Sequence, residues 1–240
     1  MKNQKFYNKT NSEQALITFC HPRNITNMMN NRRSGFLILV LILHSYINLS
    51  AQNKTKLVGG PCQDCEATLD YKLLKFNPRA VDTLPGFIET NPKLRISGTV
   101  YHSDGKTPAK DVILYIYHTN RDSIYAPSDN PVGWERRHGQ YRGWIKTNAK
   151  GEYAFYTFRP TPYPQAQESE HIHIYVKEPG LIPYYIDNYM FYDDPTLKRD
   201  DINKQRKRGG SGLIHLNEQD GMLVGHRDLI LGLNIPNYDK

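Results

Sequence analysis

Trp144-Ile-Lys-Thr-Asn-Ala-Lys-Gly-Glu-Tyr-Ala-Phe-Tyr-Thr157 is the stretch from which the fold class is read. Its arms, 144–147 and 153–157, are rich in β-branched and aromatic residues, which suit a half-buried pleated surface. Between them Asn148-Ala-Lys-Gly151 is turn chemistry, with glycine where a positive φ is wanted, so the spacing predicts a hairpin with a four-residue loop. The same grammar extends on both sides. Residues 94–101 alternate apolar and polar, 102–108 read as a turn, and 112–117, 171–177, 185–191 and 228–235 read as further strands. Short strands separated by Gly/Pro turns, with no helix of consequence and no internal repeat, predict an all-β chain folded as a β-sandwich. Residues 198–208 mix charges and read as a solvated loop or short turn of helix, with Arg206 to Arg208 at the surface. Gly209-Gly-Ser-Gly212 lacks the following helix that a phosphate cradle requires.

The 240 residues are 38% hydrophobic, enough for one domain with a core, and carry a formal charge of +7. Most of that charge is local. Residues 1–52 hold six Lys/Arg against one Glu, and the remainder holds 25 against 23 acidic residues. A near-neutral body with interspersed signs has no electrostatic footprint for nucleic acid. The basic end reads as a secretory signal, with Arg32-Arg33, eight apolar residues at 36–43, and Leu49-Ser50-Ala51 as a cleavage site before Gln52. The apolar run is well short of the ~20 residues of a spanning helix, so no transmembrane anchor is expected. The long polar stretch 1–27 is explained by a true start at Met28 or Met29, in preference to a tolerated long leader. The expectation is an exported protein, periplasmic or secreted, with leader 1–51, an N-terminal extension 52–92 packed along the domain, and a sandwich domain 93–240.

Export leaves Cys62 and Cys65 once Cys20 is lost with the leader. A Cys-x-x-Cys pair can be a redox motif, half a zinc site or a tight disulfide. With no second pair a four-cysteine zinc site is excluded. Asp64 and Glu66 oppose thiolate formation, so a structural disulfide is the reading.

The chemistry is carried by His171-Ile-His173. In a strand the two imidazoles share one face while Ile172, Ile174 and Val176 take the other, a rigid way to offer a metal two nitrogens. Upstream, Tyr163 stands between Pro162 and Pro164, and a second loop tyrosine stands at Tyr125. With these residues, and with Asp122-Ser-Ile-Tyr125, the run 141–153 and Thr157-Phe-Arg-Pro-Thr-Pro-Tyr163-Pro164, the chain resembles the intradiol ring-cleavage dioxygenases of catechol and protocatechuate type. The likeness extends from about residue 94 to 235.

That resemblance implies a β-sandwich of intradiol dioxygenase or transthyretin-like type holding one non-haem ferric ion, Fe(3+), per chain. Tyr125 and His171 match its equatorial ligands, Tyr163 and His173 its axial ones. A catechol-like substrate would be cleaved with O2 between its hydroxyl-bearing carbons to a muconate-type diacid, with Tyr163 also serving as acid/base. Phenolate oxygen suits a hard trivalent cation, whose charge takes the ligand deprotonated. Arg142 and Asn188 are the expected substrate-side residues, Asn188 falling where the family often has Gln. One departure stands out: Glu168 occupies the place of a family arginine, and Arg142 or Arg159 is expected to pair with it or to supply the missing charge. Tyr115, Tyr117, Tyr141, Tyr153, Tyr156 and Tyr175 read as sheet packing. Trp134 and Trp144 also read as packing, and His102, His118, His138, His215 and His226 as ordinary surface or turn histidines. The competing class is a non-catalytic transthyretin-like sandwich that uses its cleft for binding a metal or ligand.

Overall fold

The computed structural model describes residues 57–164 and 168–239. The leader, the start at Met28 or Met29 and Cys20 lie outside the described residues. The chain divides into two compact units, residues 1–54 and 55–240, and every element below belongs to the second.

Two six-stranded sheets face one another, so the chain is an all-β sandwich. The first runs β1 (Val81–Thr83), β5 (Glu152–Phe158), β2 (Lys93–Tyr101), β11 (Met222–His226), β10 (Leu216–Gln219), with β12 (Leu229–Ile230) also on β2. The second runs β4 (Arg142–Lys146), β3 (Ile113–Tyr117), β6 (His171–Lys177), β8 (Tyr189–Phe191), β9 (Leu213–Ile214), with β7 (Tyr184–Tyr185) also on β6. Among the described residues the helical elements are a 3₁₀ segment (Cys65–Leu69) and three short pieces, α1 (Asp70–Leu73), α2 (Glu135–His138) and α3 (Arg199–Lys204). Among the described residues no helix is long and apolar enough to cross a membrane.

The core lies between the sheets. Leu94, Ile96, Val100 and Phe155 of the first meet Leu114, Ile116, Ile172, Ile174 and Val176 of the second. Strand β2 buries every second residue, as its alternating sequence requires, whereas β3 is buried on both faces. The reason is segment 57–92. Its Cys65 and Ala67 cover Ile113, Tyr115, Tyr117, Trp144 and Tyr175 on the outer face of the second sheet. This segment does more than lie along the domain: β1 pairs in parallel with β5, and Val58 belongs to the main core. The sulfurs of Cys62 and Cys65 come to bonding distance with Cα atoms 5.7 Å apart, a separation that a disulfide spans.

The stretch 144–157 forms two strands but not a hairpin. β4 pairs with β3 and β5 pairs with β1 and β2, so the turn is a corner between the two sheets. The turn itself has the expected chemistry, with Asn148 Oδ1 accepting from the N–H groups of Lys150 and Glu152 and Gly151 at φ 70°. Turn residues specify the reversal but not which sheet each arm joins. A further correction concerns Arg208, expected at the surface. It is buried, stacks on the Tyr185 ring at 3.6 Å and donates to the carbonyl of Gly59 at 2.8 Å.

Candidate functional site

Strand β6 places Ile172, Ile174 and Val176 in the core and presents His171, His173 and Tyr175 on the outer face of the second sheet. Antiparallel pairing with β3 sets Tyr117 opposite His173 and Tyr115 opposite Tyr175. Cross-strand neighbours on one face are in contact range, and the Tyr117 ring stacks on His173 at 4.4 Å. On its other side Tyr117 stacks on His138 at 3.9 Å.

Two loops bring the tyrosines over these histidines. Asn120 Oδ1 accepts from the N–H groups of Asp122 and Ile124, folding the turn before Tyr125. Thr161 then stitches this loop to the one carrying Tyr163: its hydroxyl donates to the Asn120 carbonyl at 2.9 Å and lies 3.0 Å from Ser123 Oγ. The start of β6 is clamped as well. Arg159 donates to Glu170 at 2.6 Å and Asp193 at 2.7 Å, and Asp194 accepts the Glu170 N–H at 2.7 Å.

The structure brings together Tyr125, Tyr163, His171 and His173. The hydroxyls of Tyr125 and Tyr163 are 2.5 Å apart, Tyr125 Oη is 2.8 Å from His173 Nε2, and the two Nε2 atoms are 3.1 Å apart. His171 Nδ1 lies 2.7 Å from the Ser169 carbonyl, which can only accept, so Nδ1 carries the proton and Nε2 presents its lone pair to the cluster. The Asn188 side chain lies near His173, where it favours the protonated ring. Burial raises both phenols, reinforced at each by the negative charge of Glu168. Burial also lowers both imidazoles, His173 additionally through His171. Alone, the four groups are thus two neutral phenols and two neutral imidazoles; a cation among them reverses the preference at the oxygens.

The donor set fits a metal. Donors at right angles on an ion with bonds of roughly 2.0–2.1 Å sit about 2.9 Å apart, and the three contacts above span 2.5 to 3.1 Å. Among the described residues no group of three or more His, Cys, Asp or Glu side chains is placed to hold a metal. The cleft's capacity therefore depends on its phenols.

A cleft of about 430 Å³ opens beside this cluster, walled by Tyr117, Tyr175 and His138 and by Gln63, Asp64 and Arg137 at its rim. A second depression of about 320 Å³ is lined by Glu168, His171, Asn188, Asp201 and Lys204. Tyr117 and Tyr175, read from sequence as packing, therefore line the cleft as well. His138 and His118 are buried, not surface histidines. Trp144 is packing: its indole N–H donates to the Ala67 carbonyl.

Arg142 is not on the substrate side. Its guanidinium is buried, donates to Asp70 at 2.9 Å and the Val132 carbonyl at 2.8 Å, and lies over Trp144. Arg159 is committed to Glu170 and Asp193. Neither pairs with Glu168, whose Oε2 lies instead 3.9 Å from His171 Nε2. Closeness in sequence misleads here because β4 leads Arg142 toward the N-terminal segment. The signal for Tyr117 lies in its alternation with Tyr115, which shares its face.

No family model matches the sequence, and no curated protein matches it. Solved structures similar to it include the dioxygenase domain of a dioxygenase carbohydrate-binding protein fusion from Streptomyces sp. SirexAA-E, at 17% identity and TM-score 0.46, covering 75% of this chain and 97% of that one. Catechol 1,2-dioxygenase from Acinetobacter sp. ADP1 is similar at 15% identity and TM-score 0.49, with 85% and 80% covered. An intradiol ring-cleavage dioxygenase from Tetranychus urticae is similar at 17% identity and TM-score 0.49, with 73% and 92% covered. At these identities and scores the chemistry of the cleft stands on its own atoms.

Proposed function

We propose that this chain is an exported, iron-dependent intradiol dioxygenase that opens a catechol-type ring with O2 to a muconate-type diacid. The observation that carries the reading is the convergence of two phenol oxygens and two imidazole nitrogens, linked Tyr163–Tyr125–His173–His171 by contacts of 2.5, 2.8 and 3.1 Å, beside a cleft. Tyr125, Tyr163, His171 and His173 would hold ferric iron, since two phenolate oxygens suit a hard trivalent ion better than zinc or copper, which take nitrogen and sulfur readily. When bound, the metal would withdraw electron density from a chelated catechol and open its ring to oxygen.

The chain's own residues have definable tasks in this reading. Tyr163, on a loop between two prolines, would as a phenolate take a proton from the incoming catechol hydroxyl. Ser169 would fix the orientation of His171, and Tyr117, stacked on the ring of His173, that of His173. Tyr117, Tyr175 and His138 form an aromatic wall that would seat the ring and exclude water. Export is part of the proposal, since a Cys62–Cys65 bond persists in oxidising compartments.

Metal analysis and a visible spectrum of purified protein test the centre. The expected outcome is one ferric ion per chain with a phenolate-to-iron charge-transfer band, both lost in His171→Ala. A colourless protein with stoichiometric zinc or copper, or normal iron in His171→Ala, overturns it. Oxygen uptake across a catechol panel with a ring-opened diacid product then tests turnover, and silence with iron bound indicates a binding sandwich instead.

A further inference from the structure

Glu168 stands at the edge of the donor cluster. Its Oε2 is 3.9 Å from His171 Nε2, and its side chain is 60% exposed, with room to rotate. The arginines that could have drawn it away are committed elsewhere, Arg159 to Glu170 and Asp193 and Arg142 to Asp70. Among the described residues its carboxylate faces His171, on whose Nε2 no proton stands between them.

Charge balance says what such a carboxylate is for. Two phenolates cancel two of the three charges of a ferric ion, and a residual charge in a partly buried cleft is costly. A third anionic oxygen from the protein removes it. Donors on neighbouring positions of an ion with bonds of about 2.1 Å are about 2.9 Å apart, and those on opposite positions about 4.2 Å. The observed 3.9 Å lies between, a spacing compatible with one ion held by both groups. We propose that Glu168 supplies a carboxylate oxygen to the metal held by Tyr125, Tyr163, His171 and His173, making a centre of three anionic oxygens and two nitrogens. The inference rests on the iron reading above.

The test uses purified protein loaded with ferric nitrilotriacetate, and compares wild type with Glu168→Gln and Glu168→Asp by chelator competition and visible spectroscopy. Glu168→Gln is expected to bind iron at least tenfold more weakly and to move the charge-transfer band to longer wavelength, because the ion has lost an anionic donor. Glu168→Asp keeps the charge but draws it back by one carbon, ~1.5 Å, and is expected to behave as Gln does. An unchanged affinity and band in Glu168→Gln overturns the proposal. So does wild-type behaviour in Glu168→Asp, which would leave Glu168 only a through-space field. A wild-type chain that takes up no ferric iron overturns the iron reading itself, whereas iron in wild type with unaltered variants removes Glu168 alone.

Discussion

His118 follows the last residue of β3 and faces inward between two fixed partners, the Thr119 carbonyl at 2.8 Å from Nδ1 and the Thr157 hydroxyl at 2.6 Å from Nε2. Burial lowers its pKa from 6.5 to about 4. Above pH 6.5 the ring is neutral in both folded and unfolded chains and has no pH-dependent effect. Between 6.5 and about 4 the unfolded chain takes up a proton that the folded one refuses, so stability falls as pH falls, and the loss is complete below the folded value. The full drop is about 3 kcal/mol from this residue. Denaturant unfolding at several pH values should show it, and His118→Gln should flatten the slope by close to one proton; an identical slope in the variant would contradict the assignment. Nothing local marks this histidine in the sequence, because its burial is set by Thr157 and Phe158 from the opposite sheet. His171 and His173 differ: one intervening residue puts both imidazoles on one face of any strand, so their pairing is legible in the sequence alone. Arg142 defeats a local reading for the opposite reason, since its partner Asp70 is 72 positions away.

Strand β2 is the element on which the first sheet turns, pairing antiparallel with β5 and in parallel with β11 and β12. Its alternation makes it legible. Its one irregularity, Gly98, has a cause only the fold supplies. Between β11 and β12 the chain crosses so close that a Cβ on Gly98 would lie 1.8 Å from the Arg227 carbonyl oxygen, itself held by the Tyr153 hydroxyl at 2.6 Å. Backbone on one side and a buried tyrosine on the other leave nowhere to shift, so Gly98→Ala should cost about 3 kcal/mol, read as a lowered denaturant midpoint. A variant of wild-type stability would mean that the crossing is looser than its contacts state. The hairpin β10–β11 carries a local signal of its own, Asp220-Gly221, which adopts positive φ at both residues (51° and 74°) as a tight hairpin turn requires. The stretch 144–157 shows the converse limit. Its turn is written in its own residues, but β1 arriving from far upstream takes an edge of β5, and no local pattern encodes that partner.

Segment 57–92 decides whether the molecule is a finished sandwich with an appendage or one body completed by its own N-terminal stretch. The buried contacts favour the second. Gly59 donates to the Pro236 carbonyl at 2.7 Å and accepts from Arg208 at 2.8 Å, tying this segment to the chain's last turns. Asp70 accepts from Arg142 at 2.9 Å and from the Trp134 N–H at 2.7 Å, and it holds a guanidinium that would otherwise be buried without a carboxylate in bonding contact. Cys65 and Ala67 cover the aromatic outer face of the second sheet, the same face that carries His171 and His173. A chain begun at Lys93 would therefore expose Tyr115 and Trp144, take Asp70 from Arg142 and strip the parallel partner from β5. It would also remove Gln63 and Asp64 from the rim of the cleft. Deleting residues 57–92 should give a product that binds a hydrophobic dye and loses its cooperative thermal transition. An appendage would behave otherwise: its deletion would leave the transition sharp. Circular dichroism melting of the shortened chain separates the two, and a sharp transition near the full-length value would show that the site does not depend on the segment that roofs it.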